Sequence, residues 1–374
     1  MAKKVNIGVV GLGFGREFVP IFQNHPYGGK VAICTRTPST LKAVGDEFGI
    51  PEELRYTDYY EMLKNPELDA IHIVTPVPEH YRQTIAALEA GKHCACTVPM
   101  ALSIEECQHI IDTCKKTGKK YMMMETSLYT REFLYVKKLL DEGKFGRLQF
   151  VRSDHTQNLA MDGWGSYWDG LPPFYYGTHA LSPVLGILQK QPKSVICHGT
   201  GHVSADKAEK YGCPFAGETA TFTFKDSDVV VESTRWLFET IRQCREGFDV
   251  YGTDMSFEWE QVIDDGHVIY TGTDDAEKIV CPDTGEMLPE SIRKYTLREA
   301  ISDVSQASFR QGLGHGGSHP HIAHQFISAI AEDRTPPVNE IEAATITCMG
   351  ISAHKSAMNG SAPVEIPDFG MFAK

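Results

Sequence analysis

Short apolar runs alternate with amphipathic stretches at a steady rhythm through the first 125 residues. Val5-Asn6-Ile7-Gly8-Val9-Val10 is mostly apolar and runs into Gly11-Leu12-Gly13-Phe14-Gly15-Arg16. That order predicts a buried parallel strand feeding a glycine turn and a helix. Further strands are predicted at 30–34, 70–74, 93–96 and 121–124. Residues 41–48, 59–63, 80–90 and 104–117 carry helical spacing between them, and Gly91 supplies a helix stop. Strand and helix alternating in this way predict a doubly wound parallel sheet.

The pattern changes near residue 125. Residues 131–142 read as a helix ending at Gly143, and 147–155 then alternate as a half-exposed strand. Later strands are predicted at 219–224, 229–236, 248–252 and 256–259, with helical spacing returning at 319–332 and 340–358. Alternating strands with few helices fit an open, largely antiparallel sheet. The expected fold class is therefore α/β: a Rossmann-like domain over 1–125, then an α+β domain over 126–374 for substrate binding and oligomerisation.

At 374 residues the chain has room for two cores. A formal net charge of −13 argues against nucleic-acid or anionic-membrane partners, which call for clustered Lys and Arg. No apolar run approaches the roughly 20 residues of a membrane span, and residues 1–4 run straight into the first strand, so a cytoplasmic protein is expected. Ten cysteines include no Cys-x-x-Cys pair, which suits small packing residues in a reducing compartment. A homo-oligomer is expected, because an open sheet face leaves apolar surface to cover.

Gly11 and Gly13 occupy the first two positions of a dinucleotide fingerprint. The third holds Arg16, with Gly15 one place early. Placement directly after the first strand makes Gly11, Gly13, Phe14, Gly15 and Arg16 candidate pyrophosphate-binding residues. At the end of the second strand, Cys34-Thr35-Arg36-Thr37 offers no acid for a ribose 2′-hydroxyl. Thr35 and Arg36 alone lean towards NADP, although arginine also stacks on adenine in either nucleotide.

Two further segments carry chemistry. Gly91-Lys92-His93-Cys94-Ala95-Cys96-Thr97-Val98-Pro99 resembles the glycine-histidine…glutamate-lysine-proline stretch of the Gfo/Idh/MocA oxidoreductases, with Val98 in place of the lysine. Pro172-Pro173-Phe174-Tyr175-Tyr176-Gly177-Thr178-His179-Ala180-Leu181-Ser182-Pro183 resembles that family's Asp-x-Gly-x-His-x-x-Asp motif. It keeps the histidine and replaces the two aspartates with Tyr175 and Ser182. These departures, with Met122-Met123-Met124-Glu125, Tyr129, Gly314-His315-Gly316-Gly317 and the tail Pro363–Phe369, are similar to a lysine-free subgroup. That subgroup holds NAD-dependent α-N-acetylgalactosaminidases and gut-bacterial glycoside 3-dehydrogenases.

The resemblance implies NAD as cofactor, with Thr75, Pro76, His80, Thr97, Val98 and Pro99 lining it. It also implies catalytic roles for His179 and Tyr176. A histidine suits removal of a hydroxyl proton because its pKa lies near neutrality. Glu125 ends a parallel strand, where ligands of open α/β sheets bind, and is the third catalytic candidate, to hold a substrate hydroxyl or tune His179. His155 and Asn158 at a strand end, the aromatic loop with Trp164 and Trp168, and His315 and His319 are candidate substrate contacts alongside Tyr129. A metal reading of His315, His319, His321 and His324 is disfavoured because Pro320 interrupts them and no carboxylate stands nearby in sequence. Three activities follow: a sugar or glycoside dehydrogenase acting at C3, a redox-neutral NAD-dependent glycosidase (C3 oxidation, elimination, water addition, re-reduction), or a non-catalytic nucleotide-binding regulator. The dehydrogenase is favoured.

Overall fold

The computed structural model describes residues 3–160, 164–242, 245–297 and 315–372. Two compact units divide the chain: Met1–Thr126 with Thr284–Ala344, and Ser127–Asp283 with Thr345–Lys374. The second domain expected at 126–374 is thus interrupted, since Thr284–Ala344 packs with the first unit. Nothing local in the sequence marks that return, because it is a long-range packing choice.

The first unit holds β1 (Val5–Val10), α1 (Phe18–Asn24), β2 (Gly28–Cys34), α2 (Pro38–Glu47), β3 (Arg55–Tyr56), α3 (Tyr59–Leu63), β4 (Ala70–Ile73), α4 (His80–Glu89), β5 (His93–Cys96), α5 (Ile104–Thr117) and β6 (Tyr121–Met123). Its six strands are ordered β3-β2-β1-β4-β5-β6, and every pairing is parallel. Reversal of order on either side of β1 is the doubly wound arrangement. Local chemistry sets the helix ends. Ser103 Oγ accepts from the Glu106 amide and Glu106 answers by accepting from the Leu102 amide, while Gly118 at φ 66° closes α5. The helix His319–Ala331 packs on α1.

Inside this core His72 on β4 is fully buried, and both ring nitrogens lack a hydrogen-bond partner among the described residues. Phe18 and Phe22 meet its ring edge-on at 4.5 and 5.8 Å. Burial, with a smaller push from His319, lowers its pKa to about 3. The unfolded chain therefore takes up a proton between pH 6.5 and 3 that the folded protein refuses, and stability falls as pH drops through that window. By pH 5 the loss from this one group is about 2 kcal/mol. Urea unfolding of His72→Leu should show an advantage over wild type that widens from pH 7.5 to pH 5; a constant difference would contradict the assignment.

The second unit holds α6 (Arg131–Asp141), β7 (Leu148–Thr156), α7 (Thr178–Leu188), β8 (Pro192–Thr200), α8 (Ala205–Tyr211), β9 (Gly217–Phe224), β10 (Val230–Trp236), β11 (Arg245–Gly252), β12 (Ser256–Glu258), β13 (His267–Tyr270), β14 (Ala276–Ile279) and β15 (Val364–Glu365). Its sheet runs β14-β13-β12-β11-β7-β10-β9-β8-β15, antiparallel except for the β10–β7 pair. The inward face packs on α7. That helix is apolar on nearly every side, so it carries no periodicity for a sequence reading to find. Outward positions present Ser194, Thr219, Thr221, Thr223 and Arg152 between Ile196 and Val230.

Candidate functional site

The glycine turn follows β1 in the first unit. Gly11 adopts φ +90°, and a Cβ there would sit 2.4 Å from the Val74 carbonyl oxygen, so only glycine fits. A Cβ at Gly13 would meet nothing within 4 Å, which leaves that backbone open to a pyrophosphate. Gly15 lies against Val9 and Val74, where its Cβ would come 3.0 Å from Val9. It thus supplies the close strand contact usually made by the third fingerprint glycine, one position early. Arg16 at that third position pairs with Glu47 of α2 at 2.7 Å. Phe14 caps the short helical turn Gly15–Glu17. These residues fit an NAD-type dinucleotide, whose nicotinamide supplies a hydride acceptor when bound.

At the end of β2, Thr35 donates its amide to the Tyr56 carbonyl, and Arg36 is exposed. Asp58, whose charge together with burial pushes the Cys34 thiol up, is engaged as the N-cap of α3. The loops after β4 and β5 are tied by His80. Its Nδ1 lies 2.8 Å from the Pro99 carbonyl and its Nε2 2.9 Å from the Thr75 carbonyl. Burial lowers the His80 pKa, and the two carbonyl bonds offset part of that shift. His80 is therefore a cross-tie that shapes the Thr75-Pro76 and Thr97-Val98-Pro99 loops. Thr97 continues the β5 pairing through its amide to Ile73, and Val98 is buried. Glu125 follows β6 and is fully buried.

His315, in the turn His315–Gly317, and His319, which opens the helix His319–Ala331, also belong to this unit, and Pro320 sits in that helix's first turn without interrupting it. The four histidines separate: His321 bonds Thr284, His324 turns to His25, and His315 lies 3.3 Å from His319. The carboxylate missing from the local sequence arrives from the far end of the chain, with Glu17 Oε2 at 3.0 Å from His319 Nδ1. Gly314 lies outside the described residues.

In the second unit, strand register builds a polar row beneath α7. Glu218 on β9 pairs with Arg235 on β10, Arg235 with His155 on β7, and His155 with Glu246 on β11. Directly paired residues share a sheet face, so these four side chains stand side by side. Glu218, Arg235 and His155 are fully buried. His155 Nε2 lies 3.4 Å from Glu246 Oε1. Arg235 donates through Nε to the Tyr176 carbonyl (2.7 Å), through Nη1 to the His155 and Trp236 carbonyls (3.0 and 2.7 Å), and through Nη2 to Gln157 (2.6 Å). Burial pulls its pKa down to about 9, with Tyr176 and Glu246 opposing, so it stays charged at neutral pH.

On this row rests the His179 group. Tyr176 ends the turn Pro173–Tyr176 and His179 opens α7, and the Tyr176 hydroxyl lies 3.4 Å from His179 Nε2. The His155 and His179 rings meet edge-on at 5.1 Å, and the Arg235 guanidinium lies 5.3 Å from the Tyr176 ring centroid. Trp168 packs against Tyr176 at 4.7 Å, with Trp164 a further 6.4 Å from it. Of the two residues replacing the family aspartates, Tyr175 packs on His354, and Ser182 Oγ is buried without a partner among the described residues. Glu218 fixes this turn from below: one oxygen accepts from the Phe174 amide (2.9 Å) and the other contacts His354 Nδ1 (2.6 Å).

Asn158 bonds backbone, accepting from the Ala160 and Glu239 amides. Tyr129 is half-buried in the turn Thr126–Tyr129. Sequence reasoning missed Arg235, Glu218, Glu246 and Gln157. Arg235 falls in phase with inward Val231 and Ser233, and Glu218 in phase with Ala220 and Phe222. A charge at an inward position of an alternating strand was the available signal.

Comparison with known proteins agrees with this architecture. A glycosyl hydrolase family 109 protein of Porphyromonas gingivalis is 25% identical, covering 98% of this chain and 84% of its own length. One from Shewanella pealeana is 32% identical over 200 residues, 48% of this chain and 43% of its own. Among solved structures, aldose-aldose oxidoreductase from Caulobacter crescentus superposes with a TM-score of 0.74 at 19% identity, covering 97% and 100% of the two chains. Scyllo-inositol dehydrogenase from Lactobacillus casei with bound NAD(H) and scyllo-inositol gives 0.72 at 18%, covering 97% and 99%. Residues 5–125 match the model of the Gfo/Idh/MocA oxidoreductase family, NAD-binding Rossmann fold.

Proposed function

We propose that the protein oxidises a secondary hydroxyl of a sugar or glycoside, C3 of a glucoside, passing the hydride to a bound NAD. The observation that carries this reading is the buried Tyr176–His179 pair on the Arg235 row. Hydride loss from a carbinol carbon requires its hydroxyl proton to leave, and His179 takes that proton. Tyr176 donates its one hydroxyl proton to the substrate oxygen as charge grows there, and its own oxygen accepts from the His179 imidazolium once the proton has transferred. Arg235 fixes the Tyr176 main chain and places positive charge against its ring, which favours the electron-rich side of that transfer. Val98 leaves no lysine to compete for the same proton. The Trp164 and Trp168 rings suit an apolar sugar face.

A second reading is favoured by the family 109 relatives, whose names are those of glycosyl hydrolases. Here the same oxidation acidifies the C2 proton, the aglycone leaves across C1–C2, water adds, and the hydride returns. Incubation with phenyl β-glucoside and NAD separates the two. A keto-glucoside with an equivalent of reduced nucleotide supports the dehydrogenase; free phenol with no net reduction supports the glycosidase. Neither product would overturn both readings for this substrate class.

A further inference from the structure

Glu17 is a carboxylate buried immediately after the glycine turn, a costly place for a charge unless it is paired. His319 lies against it, Nδ1 3.0 Å from Glu17 Oε2, an ion-pair contact rather than an aligned hydrogen bond. On the far side of the same ring, His319 Nε2 lies 3.3 Å from His315 Nδ1. All three side chains are buried. The backbone holds this line under strain: His315 itself adopts φ 51°, and Gly316 and Gly317 follow at 57° and 79°. A Cβ at Gly317 would fall 2.5 Å from the Thr296 carbonyl oxygen. A left-handed non-glycine residue persists only where its surroundings impose it, commonly at functional positions. Phe18 packs at 4.8 Å from the His319 ring and separates it from His72.

We propose that Glu17, His319 and His315 form a proton relay that ends on His315. It rests on the reading that the protein oxidises a hydroxyl, since it is that chemistry which needs a proton held and returned. In the resting relay His319 carries its proton on Nδ1, towards Glu17, and its Nε2 accepts from His315 Nδ1–H. When a proton arrives at His315 Nε2, the Nδ1 proton passes to His319 Nε2. His315 ends neutral as the other tautomer, and the positive charge sits on His319 beside the Glu17 carboxylate. One proton enters, one moves, and no electrons are exchanged. Contacts of this kind are often imperfectly aligned without substrate and tighten on binding. Among the described residues, Glu17 and His315 face the His319 ring nitrogens, and His72, kept neutral by burial, lies behind Phe18. Glu17 and His319 are positioning residues, and His315 is the end that exchanges the proton.

The test uses the full chain in two measurements. Ring-nitrogen NMR of histidine-labelled protein without sugar should show His319 protonated on Nδ1 and His315 on Nδ1. A resting His319 protonated on Nε2 alone overturns the relay whatever the protein's activity. With NAD and phenyl β-glucoside, Glu17→Gln should lower kcat at least tenfold and change the shape of the kcat/KM pH profile, because the relay loses its carboxylate end. Glu17→Asp should restore part of both. A Glu17→Gln profile of unchanged shape, with its melting temperature kept, also overturns the relay. Correct tautomers with no nucleotide reduction in wild type would instead count against the proposed activity alone.

Discussion

Arg235→Met is expected to destabilise the second unit by roughly 3–5 kcal/mol and to cut turnover at least a hundredfold, the first from loss of a buried hydrogen-bonded charge and the second from misplacement of the base. Four acceptors lose a donor at once: the carbonyls of Tyr176, His155 and Trp236, the last keeping its bond from the Gln157 amide, and the Gln157 side chain. Two of them belong to the residues that flank His179. Arg235→Lys should recover little, because one ammonium cannot reproduce a planar fork that reaches four oxygens in different directions. Denaturant unfolding monitored by tryptophan fluorescence, with initial rates of nucleotide reduction on the folded fraction, checks both parts. A lysine variant with wild-type stability and rate would show that the guanidinium is not what holds the turn.

That prediction also marks where the sequence stops being readable. Helix α5 was legible to the residue, because its apolar spacing, Ser103 and Gly118 all agree on one element. The glycine turn was legible because strand, turn and helix are contiguous, although the structure alone shows Gly15 doing the work of a glycine expected at Arg16. His179 and Tyr176 were legible through a motif within four residues. The row Glu218–Arg235–His155–Glu246 was not, since it exists only through the register of four strands drawn from residues 148–252. Glu17 beside His319 is the same kind of fact in the first unit: three hundred residues of chain separate a pair held 3.0 Å apart. Local pattern fixes elements, and long-range pairing decides which polar groups share a burial. The clearest sequence trace of such pairings is a charged residue placed in phase with inward apolar ones.

His179→Ala is expected to lower sugar-dependent nucleotide reduction by about 10²–10⁴-fold, the usual contribution of a positioned acid/base, while NAD binding by the first unit is unchanged. His179 is buried within α7, so removing its ring also leaves a small cavity; His179→Gln keeps most of the volume and should be as inactive. The most direct measurement supplies phenyl β-glucoside carrying deuterium at C3 and follows the mass of the nucleotide released. The account predicts that wild-type protein transfers the deuterium to NAD and that both His179 variants transfer it at least a hundredfold more slowly, as the acid/base magnitude requires. Reduced nucleotide without the label would refute oxidation at C3. Undiminished label transfer in the His179 variants would refute His179 as the base.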